Sequence, residues 1–113
     1  MSKQNQTEVI DKATINQIVN KLATKGNPDK IYLFGSYANK RPSKDSDIDL
    51  LIIKDTAMPR HNRSIEFQRI LIGTKLPVDI VVYTINEFER EKARPDSFIN
   101  TILKEAQLIY ERK

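Results

Sequence analysis

The sequence contains no cysteine and only one histidine. Without thiols there is no disulfide framework, no thiolate zinc site and no cysteine nucleophile, and one imidazole cannot build a multi-histidine metal site. Long apolar runs are missing as well. The richest stretch, Ile48 to Ile53, is broken by Asp49 and is far shorter than the roughly 20 residues a membrane helix needs. Met1 to Glu8 lack the apolar segment of a secretory signal, so a cytoplasmic protein with no membrane partner is expected. What is present is a globular balance, 39% hydrophobic and 30% charged residues over 113 positions. That length predicts a single domain over residues 1–113. Nineteen Lys+Arg against 15 Asp+Glu leave a charge of +4. This modest excess suits an anionic partner such as a nucleotide. Direct nucleic-acid binding is disfavoured, because no stripe of alternating basic and aromatic residues accompanies it.

Periodicity gives the elements. Ile15, Ile18, Val19 and Leu22 share one helical face, predicting a helix from Thr7 to Lys25 that stops at Gly26-Asn27-Pro28. Lys30 to Phe34 reads as a strand running abruptly into a turn at Gly35-Ser36, and Ile48 to Ile53 as a central strand, apolar on both faces. A helix over His61 to Ile72, a strand over Val78 to Tyr83 and a charged helical turn over Asn86 to Ala93 follow. The last predicted element is a helix carrying Ile99, Ile102, Leu103, Ala106 and Tyr110, capped by Asp96 or Ser97. The order implies an α/β or α+β layer pair.

Three features carry chemistry: Gly35-Ser36 at a strand end, Asp47-Ile48-Asp49 at the start of the next strand, and Asp79 in an otherwise apolar strand. Residues two apart on a strand face the same way, so Asp47 and Asp49 can reach one ion while Ile48 enters the core. Paired carboxylates at a buried strand start repel each other and lose hydration, and a divalent cation relieves both penalties. Hard oxygen ligands suit Mg²⁺, or Mn²⁺, better than Zn²⁺. Asp79 has the character of a third ligand. A glycine lets backbone approach an anion closely, and a serine hydroxyl with nearby N–H groups can bind phosphate oxygens. These are the parts needed for nucleotidyl transfer from a nucleoside triphosphate.

Gly35-Ser36, ten intervening residues and then Asp47-Ile48-Asp49-Leu50-Leu51 resemble the signature of the polymerase-β-like nucleotidyltransferases, in particular their minimal nucleotidyltransferase (MNT) group. Gly35-Ser-Tyr-Ala38, Lys44-Asp-Ser-Asp-Ile-Asp49, Val78-Asp-Ile-Val-Val82 and the ending around Ser97 to Tyr110 extend the resemblance over nearly all of the chain from Ile31. It implies a small mixed sheet backed by helices. It also implies catalytic metal ions on Asp47, Asp49 and Asp79, with Asp79 helping to activate the acceptor hydroxyl, and a triphosphate held by Gly35 and Ser36. The resemblance further implies ATP as substrate, AMP as the transferred group, and an antitoxin role in which the acceptor is a tyrosine of a partner HEPN ribonuclease toxin. Two alternatives stand beside it: a non-catalytic module that masks the toxin, and a stand-alone transferase with another acceptor. The chain departs from the pattern where members have a basic residue and then a glycine. Asn39 and Lys40 stand there, and Asn39 is expected to take the left-handed backbone. Lys40 or Arg41 could then meet the triphosphate.

Other residues have plainer readings. Asp45 and Ser46 are turn residues, and His61 is a solvated polar residue near a helix start. Tyr37 either stacks on a base or covers the sheet edge. Lys40, Arg41, Lys44, Arg60 and Arg63 form either a patch near the triphosphate or a solvated surface. With the metal strands, the turn and the core helices assigned, little chain remains to build an acceptor pocket, so a partner chain is expected to supply it.

Overall fold

The computed structural model describes residues 9–43 and 45–113. Thr7, the expected helix start, and Lys44, one of the expected basic set, lie outside the described residues. Helix α1 (Lys12–Gly26) begins where the Asp11 carboxylate accepts the Thr14 N–H at 2.9 Å. That bond holds the Asp11 carboxyl below its ordinary range. The helix ends at Asn27, whose left-handed backbone (φ 50°) returns its N–H to the Ala23 carbonyl. Strand β1 (Lys30–Phe34) runs into a single 3₁₀ turn, Gly35–Tyr37. Then come β2 (Ile48–Ile53), α2 (Arg60–Ile70), β3 (Val78–Tyr83), α3 (Ile85–Lys92), α4 (Phe98–Leu103) and β4 (Gln107–Glu111).

The four strands form one mixed sheet in the order β3-β2-β1-β4. β1 is antiparallel to both β2 and β4, whereas β2 and β3, joined through α2, run parallel. This is an α+β fold with helices on both faces. Alternation along β2 divides the core. Ile48, Leu50 and Ile52 join Ile15, Ile18, Val19, Leu22 and Phe67 on the α1/α2 face, while Leu51 and Ile53 join Tyr83, Phe88 and Ile99 on the α3/α4 face. β2 is central and buried on both sides, as its apolar run predicts. α1 and α2 approach so closely that a Cβ on Gly26 would clash with the ring of Phe67.

The end of the chain corrects the sequence reading. α4 stops at Leu103, and Gln107 to Glu111 are not helix but strand β4, paired with β1 through Tyr32↔Leu108 and Leu33↔Gln107. Tyr110 therefore packs on the α1/α2 core from a strand rather than from a helix. Its spacing from Ile99 and Ile102 satisfies the helical period, but the free edge of β1 offers a ladder of backbone partners that a longer helix would leave unmet. Ser97 is the cap of α4, its hydroxyl accepting the Asn100 N–H at 2.9 Å. α2 is also shorter than expected, and Ile72 beyond it is 76% exposed.

Candidate functional site

Asp49 is the second residue of β2, and its register partners are Phe34 on β1 and Asp79 on β3. Register partners in adjacent strands share a face, so Asp49 and Asp79 stand side by side on the α3/α4 face. They lie at the end of the sheet where β2 and β3 begin. Asp47 precedes the strand with the same parity, and Ile48 between them is fully buried on the other face. Asp47 and Asp79 are exposed and Asp49 is half-buried. Burial, then the negative charges of Asp79 and Asp47, push the Asp49 carboxyl above its ordinary range. Nothing offsets that push. Among the described residues, no lysine or arginine lies within ion-pairing distance of these carboxylates.

Gly35 is the other half of the site. Its backbone is left-handed (φ 74°), and a Cβ there would collide with Asp49 Oδ2. The glycine thus gives the chain its turn and also lets the carboxylate lie against the backbone. From Gly35 the loop closes on itself. The Gly35 carbonyl accepts the N–H groups of Ala38 and Asn39, and the Ser36 carbonyl accepts that of Arg41 at 3.0 Å. The left-handed residue beyond the turn is Lys40 (φ 63°), not Asn39 as expected. Asn39 does a different job, its Oδ1 accepting the Arg41 N–H at 3.1 Å, and Lys40 takes the strained position. Tyr37 covers the fold rather than standing free, because its hydroxyl accepts the Ile10 N–H at 3.0 Å.

One anchor of this turn is missing from the sequence reading. Gln107 Nε2 donates to the Ala38 carbonyl at 2.8 Å, tying the loop to β4. No motif marks it, and its neighbours read as helix. The basic set also separates. Lys40 and Arg41 sit on the turn, but Arg60 and Arg63 lie at the opposite end of the sheet, where Arg63 is buried in a two-point pair with Glu87 (2.7 and 3.1 Å) and Arg60 covers the Tyr83 ring. A cavity of about 300 Å³ also opens at that far end, between Asp29, Ile53, Ile85 and Phe88, and no predicted site residue lines it.

Among the described residues, no group of three acidic or histidine side chains stands close enough to hold a metal ion as it is. The donor set nevertheless fits a hard divalent cation. Asp49 lies against Gly35 with no compensating cation among the described residues, and the exposed carboxylates of Asp47 and Asp79 act on it from the same end of the sheet.

Residues 16–113 match the family described as polymerase beta, nucleotidyltransferase. The chain belongs to that family. Three solved structures show how far its fold is shared. A protein of Sulfolobus solfataricus assigned as a nucleotidyltransferase is 24% identical, with a TM-score of 0.63 over 88% of this chain and 79% of that one. A toxin-antitoxin structure with AMP-PNP is 21% identical, with a TM-score of 0.59 over 87% and 73%. The structure of a tri-AMPylated HEPN toxin of Shewanella oneidensis in complex with its MNT antitoxin contains a chain 19% identical, with a TM-score of 0.55 over 91% and 74%. Nothing matches among curated protein sequences. Within this nucleotidyltransferase fold, Gly35-Ser36 and the Asp47/Asp49/Asp79 set occupy one end of the sheet, and no described helix is long and apolar enough to cross a membrane.

Proposed function

We propose that this nucleotidyltransferase moves AMP from ATP to a hydroxyl, most specifically a tyrosine of a HEPN toxin, and so serves as the MNT antitoxin of a toxin-antitoxin pair. The observation that carries the reading is the cluster of Asp47, Asp49 and Asp79 beside the Gly35-Ser36 turn with no compensating cation among the described residues. Buried or half-buried carboxylates of like charge are otherwise paired. Fold relatives that hold AMP-PNP or an AMPylated toxin support the choice of nucleotide and acceptor.

In this reading Asp47, Asp49 and Asp79 would hold Mg²⁺, which would supply neutralisation of the charge that builds on the phosphoryl oxygens. The backbone at Gly35 and the hydroxyl of Ser36 bind the β and γ phosphates and fix the α phosphorus in line with the acceptor, so that the acceptor oxygen bonds to it as its bond to the bridging oxygen breaks and pyrophosphate leaves. Asp79, on the outer strand, orients the acceptor hydroxyl and accepts its proton.

The test is to incubate the protein with α-labelled ATP, Mg²⁺ and the product of the adjacent gene, and to compare it with the Asp47→Ala, Asp49→Ala double variant. Label on a tyrosine of the partner, lost in the variant, supports the reading. No label on any acceptor, while the variant still neutralises the partner, establishes masking instead. Label on some other acceptor identifies a stand-alone transferase.

A further inference from the structure

Beside the carboxylates stands an aromatic surface that the reaction as described does not use. Phe34 is the register partner of Asp49 and the residue before Gly35. Phe98, the first residue of α4, meets it edge to face with ring centroids 5.8 Å apart at 85°. Phe98 remains 46% exposed, and Leu108, opposite Tyr32 on the same sheet face, is equally exposed. The position of Phe98 is built. Ser97 caps the helix and Ile99 is fully buried, so Phe98, about 100° around the helix from Ile99, lies off the buried face and is held by its contact with Phe34. Leaving a phenylalanine half in water forgoes part of the stabilisation that its full burial would return.

Direction across the sheet says what would cover it. On this face the order is Asp79 on β3, Asp49 on β2 and Phe34 on β1. The aromatic pair is therefore on the side of the Gly35-Ser36 turn, away from Asp79. A ligand whose phosphates lie on that turn has its remaining group within reach of Phe98, while an acceptor activated by Asp79 arrives from the other side. Resting on the nucleotidyl-transfer reading above, we propose that Phe98, braced by Phe34, is the platform on which the base of the bound nucleoside triphosphate stacks. A phenyl ring offers a π-face and no hydrogen-bonding group, so it grips any base and grips the larger purines best. It selects purine over pyrimidine nucleotides and separates ATP from GTP only weakly.

The experiment is calorimetric titration of the full chain in Mg²⁺ with a non-hydrolysable ATP analogue and, separately, with inorganic tripolyphosphate, which has phosphates but no base. Phe98→Ala is expected to weaken the analogue about tenfold or more, as loss of one base stack does, and to leave tripolyphosphate within twofold of wild type. Phe98→Trp restores the analogue and reports that the fold is intact. Equal weakening of both ligands, or no weakening of either, overturns the platform alone. Failure of the wild-type chain to bind either ligand overturns the platform together with the nucleotide reading beneath it.

Discussion

The two ends of the sheet are built from the same kinds of charged residue and treat them in opposite ways. At the end marked by Lys30, Ile53, Tyr83 and Glu111, acids have cations: Asp29 with Arg112, Glu111 with Lys30, Glu66 with Lys54, and Glu87 with Arg63 and Arg60. Arg63 also donates to the Met58 carbonyl, and Lys54 to that of Gly26. The consequence is visible at Glu87, which the Arg63 hydrogen bonds pull down to about 2 from an ordinary 4.5. At the other end Asp49 has no cation within ion-pairing distance among the described residues, and burial with the charges of Asp79 and Asp47 moves its carboxyl the opposite way. The paired end is what charge looks like when it serves the fold. The unpaired end leaves its charge without a compensating cation among the described residues.

Breaking the contrast should give effects of opposite sign. The largest is Asp49→Asn, which is expected to lower transfer activity by about a hundred- to a thousandfold, a loss of the size seen when a preorganised electrostatic contact is removed. Its melting temperature in the absence of metal should rise, because a crowded charge is gone. A fall would mean that Asp49 is structural. Next is Arg63→Ala at the other end, which leaves Glu87 only the longer contact to the exposed Arg60 and should destabilise the protein by about 2 kcal/mol in denaturant unfolding, with activity per folded molecule kept.

Acid titration separates the ends again. Glu87 has its carboxyl depressed by folding, so its contribution is present above about pH 4.5 and is lost as pH falls toward about 2. Asp49 has its carboxyl raised, so the folded state favours its proton, and its stabilising contribution exists at low pH and disappears as pH rises through that raised value. Unfolding free energies measured from pH 3 to 7 without metal should therefore show Asp49→Asn gaining on wild type as pH increases. The smallest effect belongs to Lys40→Gly. Relief of its left-handed backbone should stabilise by about 1 kcal/mol, and a loss of stability would show that its side chain is tied into the turn.

Much of this site could be read from the residues alone, because its logic is local. Strand parity puts Asp47 and Asp49 together and sends Ile48 into the core, and a lone Asp79 in an apolar strand announces itself. The end of the chain could not be read so. Ile99, Ile102, Leu103, Ala106 and Tyr110 obey the helical period, yet Gln107 to Glu111 follow the demand of a distant strand edge, which no window of neighbouring residues contains. The same limit hid Gln107 as the clip on Ala38 and hid Lys40 as the left-handed residue. Arg60 and Arg63 looked like candidates for the phosphate turn because sequence gives charge without saying at which end of a strand it will lie.

The bond from Gln107 to Ala38 joins residues 69 positions apart. Ribosomes add roughly 5–20 residues per second, so the loop beside Gly35 exists for roughly 3–14 s before its clip has been made. Closing so long a loop also costs more chain entropy than forming the local contacts around it. Catalytic competence should therefore arise at the end of maturation, after the rest of the sheet has already formed around β1 and β2.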